Sequence, residues 1–238
     1  MGKRKLGSSM VSRIPIFITA RGNDKKTFDK NKEALKFSYL FIKEQCLFDQ
    51  TYIISDNKEM LDYATELGFK YTIYYPCGSQ KDLMYLEYLA TYRYSVEMNY
   101  KPDWIIILNI NQLFKDNSLL VDCIINIDDN YNVVASYTEI SNRSMFFIDE
   151  ALNKEEEKKT HLLSSEYQRV KMVDAAIYAI KTSFAFECME YNDPSEHFWN
   201  TSIKYFKNKS LFTDIYELKD IDKYYYVGNV IDKIKQIK

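Results

Sequence analysis

The chain has 238 residues, 46% hydrophobic and 28% charged, with 32 Lys and Arg against 34 Asp and Glu. A net charge of −2 argues against a dedicated nucleic-acid binder, which carries a basic domain, and two histidines, His161 and His197, rule out a His-rich metal centre. Cys46, Cys77, Cys123 and Cys188 lie 31, 46 and 65 residues apart with no C-x-x-C pair; the expectation is four reduced thiols in a soluble, cytoplasmic protein.

A chain of this length buries roughly 70% of its unfolded surface, enough for one large domain. Residues 1–12, basic and small at the start, read as a disordered leader. The apolar run Ile14–Ala20 that follows is short and contains Pro15, which fits a buried strand better than a signal peptide. No apolar run approaches the ~18 residues that a membrane span needs.

Ile14–Ala20 is continuously apolar, as in a strand covered on both faces. After a polar stretch, Arg21–Asp29, the pattern from Lys30 to Gln45 is helical and buries Leu35, Tyr39 and Ile42. Gln50–Ser55 reads as a second strand. Lys58–Leu67 reads as a helix with Met60, Leu61, Ala64 and Leu67 on one face, ended by Gly68. Lys70–Tyr74 is a third strand, and Asp82–Asn99 a helix through Leu83, Leu86, Leu89/Ala90 and Val96 that stops before Pro102. Trp104–Leu108 is the most apolar strand and so the central one; Asn117–Asp128 is helical and Tyr131–Tyr137 strand-like.

This alternation predicts an α/β fold, a single doubly wound, mostly parallel Rossmann-like sheet over residues 13–238. After Glu139 the rhythm breaks, and an excursion from the sheet is expected at about 140–170, including the charge run Glu155–Lys159. Lys171–Lys181 returns as a strand, while Pro194–Phe206 and Asp222–Ile237 read as helices.

In an open parallel sheet a ligand binds beyond the carboxyl ends of the strands. The polar residues there are Arg21, Gly22, Asn23 and Asp24, then Ser55 and Asp56, then Asn109, Asn111 and Gln112. The first loop runs from Arg21 to Lys30–Asn31 at the expected helix start, and with that start carries Lys25, Lys26, Lys30 and Lys32. Backbone N–H groups and cations feeding a helix N-terminus suit phosphate; a lysine-rich surface loop is the plainer alternative. Asp56 is expected to cap the helix after it. Asp220 and Asp222 flank Ile221, so in a strand both carboxylates face one side, as two hard oxygen ligands for Mg²⁺ would; the alternative is a turn or helix cap.

Ile18-Thr-Ala-Arg21-Gly-Asn-Asp-Lys25-Lys-Thr-Phe-Asp-Lys30-Asn31 resembles, without a gap, the nucleotide loop I-P-A-R-G-G-S-K-G-I-P-G-K-N of the acylneuraminate (CMP-sugar) cytidylyltransferases. Four further segments resemble that family in order: Leu47–Met60, Asp103–Lys115, Asp174–Tyr178 and Leu218–Asp222. The resemblance spans about residues 14–225. It implies a nucleotidyltransferase fold and transfer of CMP from CTP to an acidic sugar of the nonulosonate type, releasing pyrophosphate, in surface-glycan synthesis. It also implies nucleotide contacts from Ala20, Arg21, Gly22, Asn23, Asp24, Lys25, Lys30 and Asn31, with Arg21 and Lys30 neutralising charge at the reacting phosphate. Asn109, Asn111 and Gln112 would read substrate hydroxyls, Asp220 and Asp222 would carry a catalytic Mg²⁺, and the excursion would form a homodimer. Neither a nucleic acid nor a membrane is an expected partner.

The chain departs from that pattern at Asp24, where the family has Ser, at Tyr75, where it has Arg, and at Ile110–Lys115, which lacks the family's two prolines. Two alternatives follow: an inactive binding or assembly subunit that retains the fold, and a nucleotide-sugar glycosyltransferase using Asp220-Ile-Asp222.

Overall fold

The computed structural model describes residues 14–76, 83–113, 115–141, 169–191, 197–198 and 200–209. The leader, most of the excursion, the expected final helix and Asp220, Asp222, His161 and Cys77 lie outside the described residues.

Strand β1 (Ile16–Thr19) is wholly buried and lies parallel between β2 (Thr51–Ser55) and β4 (Trp104–Leu108). β3 (Tyr71–Tyr74) pairs with the far side of β2, also parallel. Beyond β4 the order departs from the simple alternation. β6 (Arg169–Lys181) lies antiparallel between β4 and β5 (Val133–Ser141), and β7 (Ile203–Lys207) pairs parallel with the outer side of β5. Among the described residues the seven strands run β3-β2-β1-β4-β6-β5-β7, so the expected central position of β4 is met. β6 alone among them runs against the rest, and the sheet is mostly parallel as expected.

Alternating side chains carry the sheet's two faces. Ile16, Ile18, Ile53, Ile106 and Leu108 pack with α1 (Lys25–Glu44), α2 (Lys58–Leu67) and α4 (Leu119–Ile125). Phe17, Ile54, Ile105 and Ile107 pack with α3 (Leu83–Glu97) and α5 (Thr182–Cys188). Two covered faces explain why the central strands read as unbroken apolar runs. Gly68 ends α2 at φ 110°, a left-handed conformation that glycine takes without strain.

Three helical expectations are corrected. α1 begins at Lys25, five residues before the expected Lys30, because Asp24 caps it by accepting from Thr27 N at 2.9 Å. In α3, Ala90 is buried as expected, together with Glu87, Tyr88, Thr91 and Tyr94, whereas Val96 is exposed; the side chains of Leu83 and Leu86 lie outside those described. Hydrophobicity misplaced Val96 because apolar residues lie nearly all round the helix, and a polar glutamate faces inward. Residues 203–206, expected to be helical, belong to edge strand β7, since Ile203, Tyr205 and Phe206 are β-branched or aromatic and β5 offers an unpaired edge.

The hairpin of β5 and β6 extends past the end of β4. β6 pairs with β4 over Ile177–Lys181 and with both neighbours over Tyr178–Ile180, and from Val173 back to Arg169 with β5 alone. A register shift opposite Ser136 makes the transition, held by Asp174, whose carboxylate accepts from Ser136 Oγ, Ala176 N and Asn208 Nδ2. Ser141 and Arg169, which bound a stretch outside the described residues, pair at the far end of that extension. No helix among the described residues is long and apolar enough to cross a membrane.

Candidate functional site

The carboxyl ends of β1, β2 and β4 lie side by side, and the residues just beyond β1 form the best-fastened turn of that edge. Ala20 N still donates to Ile54 O at 2.8 Å, continuing the ladder. The chain then turns through Arg21–Asp24 into α1, and side chains from two other segments hold the Arg21–Gly22 backbone. Asn31 Nδ2 donates to Arg21 O at 2.8 Å, Asn57 Nδ2 donates to Gly22 O at 2.8 Å, and Gly22 N donates to Asp56 Oδ1 at 2.8 Å. Arg21 Nε donates to Asp56 Oδ2 at 3.4 Å, an ion pair with its carboxylate 2% exposed and its guanidinium side chain 17% exposed. A Cβ on Gly22 would stand 2.7 Å from Asn57 Cβ, so the approach of the two loops admits no side chain at position 22.

The expected site residues divide on this frame. Ala20 is buried in the core. Arg21, Gly22 and Asn31 meet within the turn. Asn23 and Lys25 are exposed beside it, and Lys30 is half-buried one turn into α1. The Arg21–Asn31 segment is therefore a four-residue turn, Arg21–Asp24, followed by helix, not a long phosphate loop, and Asn31 is a buried bracket of the turn that lies inside α1 and not at its start. Asp24 occupies the N-terminus of α1 with its own carboxylate, accepting from both the backbone N and the Oγ1 of Thr27. Those bonds hold its pKa below the usual carboxylate range, so it stays an anion.

Asp56 does not cap α2. Asn57 does, accepting from Met60 N at 3.2 Å, which leaves Asp56 to face Arg21 and Gly22. The residues after β4 are also less open than expected. Asn109 Oδ1 accepts from Asn111 N at 2.9 Å, closing a turn, and Gln112 is 3% exposed. Asn111 Oδ1 is a buried acceptor with no hydrogen-bond partner among the described residues. Lys115 lies further along this loop, its amine donating to Gln112 O and to Ser38 Oγ of α1. Burial pushes its pKa down to about 7.

Sequence reasoning missed Glu87. This α3 residue is 3% exposed and sits under the end of β1, where Thr19 Oγ1 donates to Oε1 at 3.1 Å and the Tyr178 hydroxyl of β6 donates to Oε2. The one signal available was a glutamate spaced four residues from Thr91 and seven from Tyr94 on one helix face. It also missed Asn57 and the bulge-holding role of Asp174. Among the described residues no group of three His, Cys, Asp or Glu could hold a metal ion. His197 is packed on Tyr191 at 3.7 Å and bonded to Glu187, away from any such group. Cys46, Cys123 and Cys188 are free thiols, as expected.

No known family and no curated protein matches the sequence. Solved structures match the fold. CMP:2-keto-3-deoxy-manno-octonic acid synthetase, in complex with CTP, is 13% identical over 93% of this chain and 99% of its own, with a TM-score of 0.58. A cytidylyltransferase from Leptospira borgpetersenii is 15% identical over 94% of this chain and 96% of its own, with a TM-score of 0.54. The bifunctional IspDF from Campylobacter jejuni is 14% identical over 88% of this chain, with a TM-score of 0.57; the match spans 54% of its length, about half. At these identities the shared property is the fold alone, a mostly parallel α/β sheet.

Proposed function

We propose that the chain is a nucleotidyltransferase that takes CTP and transfers CMP to an acidic sugar of the nonulosonate type, releasing pyrophosphate. The observation that carries the reading is the Arg21–Gly22 turn: a guanidinium fixed at the carboxyl edge of a sheet whose fold is shared with a CTP-bound synthetase. A guanidinium held there is suited to grip phosphate oxygens with two parallel N–H donors.

In this reading a sugar hydroxyl oxygen attacks the α-phosphorus in line. The new P–O bond forms as the bond to the bridging oxygen breaks; pyrophosphate leaves, and the hydroxyl proton passes to water. Arg21 and Lys30 neutralise the charge that grows on the phosphate oxygens, so catalysis is positioning plus electrostatics. Mg²⁺ would supply further charge neutralisation at the phosphates. Asp220 and Asp222, the residues that the resemblance would assign to it, lie outside the described residues.

A thermal-shift titration with CTP, UTP, ATP and GTP, each with and without Mg²⁺, tests this. Ligand at 100 times its Kd stabilises by about 2.7 kcal/mol, which moves Tm by several degrees in a chain of this size. The expected result is a CTP-selective shift, followed by pyrophosphate release with a sugar acid. No shift with any nucleotide would sink the proposal.

One observation favours a second reading. Asp24 fills the N-terminus of α1 with an anion, where a phosphate would otherwise be drawn. A non-catalytic subunit that keeps the fold for assembly accounts for that, and predicts indifference to every nucleotide.

A further inference from the structure

We infer that Asp56 is a positioning residue for Arg21, setting the direction of its guanidinium before any ligand arrives. This rests on the nucleotide reading above and assigns a second loop to the same site. Asp56 uses its two carboxylate oxygens on two consecutive residues, Oδ2 for Arg21 Nε and Oδ1 for the Gly22 N–H. Such a carboxylate cannot follow the side chain without releasing the backbone. Nε lies where the stem joins the planar head of arginine, so fixing Nε restrains the rotation of the whole plane. Asn57, the next residue, holds Gly22 O and caps α2, which anchors the carboxylate's own segment.

A latch for stability alone explains this arrangement poorly. Burying an ion pair this deeply recovers little free energy, because desolvation offsets the Coulomb attraction. An asparagine at position 56 would satisfy the Gly22 N–H as well. The charge at position 56 also has a cost for phosphate binding, since it partly cancels that of Arg21. The two effects make opposite predictions for Asp56→Asn. If orientation dominates, phosphate binding weakens; if net charge dominates, it tightens. The pair of hydrogen bonds, one to Arg21 and one to Gly22, favours orientation.

The test is calorimetric titration of CTP with Mg²⁺ into the full chain and into D56N, R21A, R21K and the R21A/D56N double variant, with Tm recorded for each. The expected result is about tenfold weaker binding in D56N, and no added loss when D56N is placed on R21A, the non-additivity of residues acting as a unit. R21K should also weaken binding, because an ammonium keeps the charge but lacks the planar fork. D56N binding as tightly as the unaltered chain, or costing as much on R21A as alone, overturns the inference. If D56N fails to fold, R21K decides, and R21K binding like the unaltered chain overturns it. Absence of binding by the unaltered chain is a separate outcome that removes the nucleotide reading itself and this inference with it.

Discussion

The hydroxyl of Tyr178, on β6, donates to the carboxyl of Glu87, on α3, across the buried face beneath β1 and β4. Thr19 Oγ1 meets the same carboxyl from the end of β1, two residues before Arg21. A polar group is thus placed in an apolar layer to join the strand that leads into the candidate site to the antiparallel strand beyond β4. Tyr178→Phe should cost about 1–2 kcal/mol, the net worth of a buried hydrogen bond, and Glu87→Ala more, since it strands two donors and opens a cavity. Combining them should add little to Glu87→Ala alone. Urea unfolding of the cycle measures this, and strictly additive losses would show that the two groups do not act together.

Gly22 is required by proximity. Gly22→Ala places a methyl 2.7 Å from Asn57 Cβ, so Asn57 must retreat, releasing Gly22 O and the cap of α2 together. The expected loss is about 1–3 kcal/mol, the usual range for overpacking. Adding Asn57→Gly removes the clashing atom but not the lost cap, so it should recover part of the Tm loss of Gly22→Ala. Full stability in Gly22→Ala would contradict the packing of the two loops.

The central strands were legible because burial on both faces leaves Ile16–Thr19 and Trp104–Leu108 uniformly apolar. α2 was legible because Met60, Leu61, Ala64 and Leu67 form one stripe and Gly68 can end it. Strand order was not. Apolar runs mark strands without naming their neighbours, and the insertion of β6 between β4 and β5 depends on pairing across the fold. At the site, Arg21 and Gly22 could be picked out at the end of a strand, and Asn31 at the expected helix start. Their brackets could not, because Asp56 and Asn57 are equally good caps by composition, and only geometry gives the cap to Asn57 and leaves Asp56 facing Arg21. The start of α1 was misplaced for a related reason, as lysine-rich helix surface and lysine-rich loop have the same composition.

Lys115 should make stability depend on pH with a definite sign. Its folded pKa is near 7 against an ordinary 10.5, because burial disfavours the ammonium. Between those values the unfolded chain binds a proton that the folded chain does not, so this residue's contribution to stability rises with pH. Below about 7 both states are protonated and the full cost is felt. Lys115→Met should therefore stabilise the chain at pH 6.5 by roughly 1–3 kcal/mol, discounted because the side chain is only half-buried, and less at pH 9.5. Cys123 and Cys188, both pushed up by burial, titrate alike in the two proteins and cancel in the comparison. Denaturation midpoints at both pH values decide; a gap that stays constant or widens with pH would remove the buried-amine assignment.

Asp24 separates the catalytic reading from the inert one. Its carboxylate caps α1 through Thr27 and is kept ionised by those bonds, at the helix end nearest Arg21. Asparagine caps a helix about as well as aspartate, so Asp24→Asn removes the charge and keeps the turn. If CTP phosphates lie against this end, the substitution should tighten CTP by roughly threefold to tenfold at low salt and CMP by less, because repulsion grows with ligand charge and is screened by salt. Asp24→Ala should show the same charge effect together with a frayed first turn. Titrations of CTP and CMP at two salt concentrations supply the measurement. Weaker CTP binding in Asp24→Asn would mean that the carboxylate itself contacts the bound ligand complex, and no binding in either protein would favour the assembly subunit.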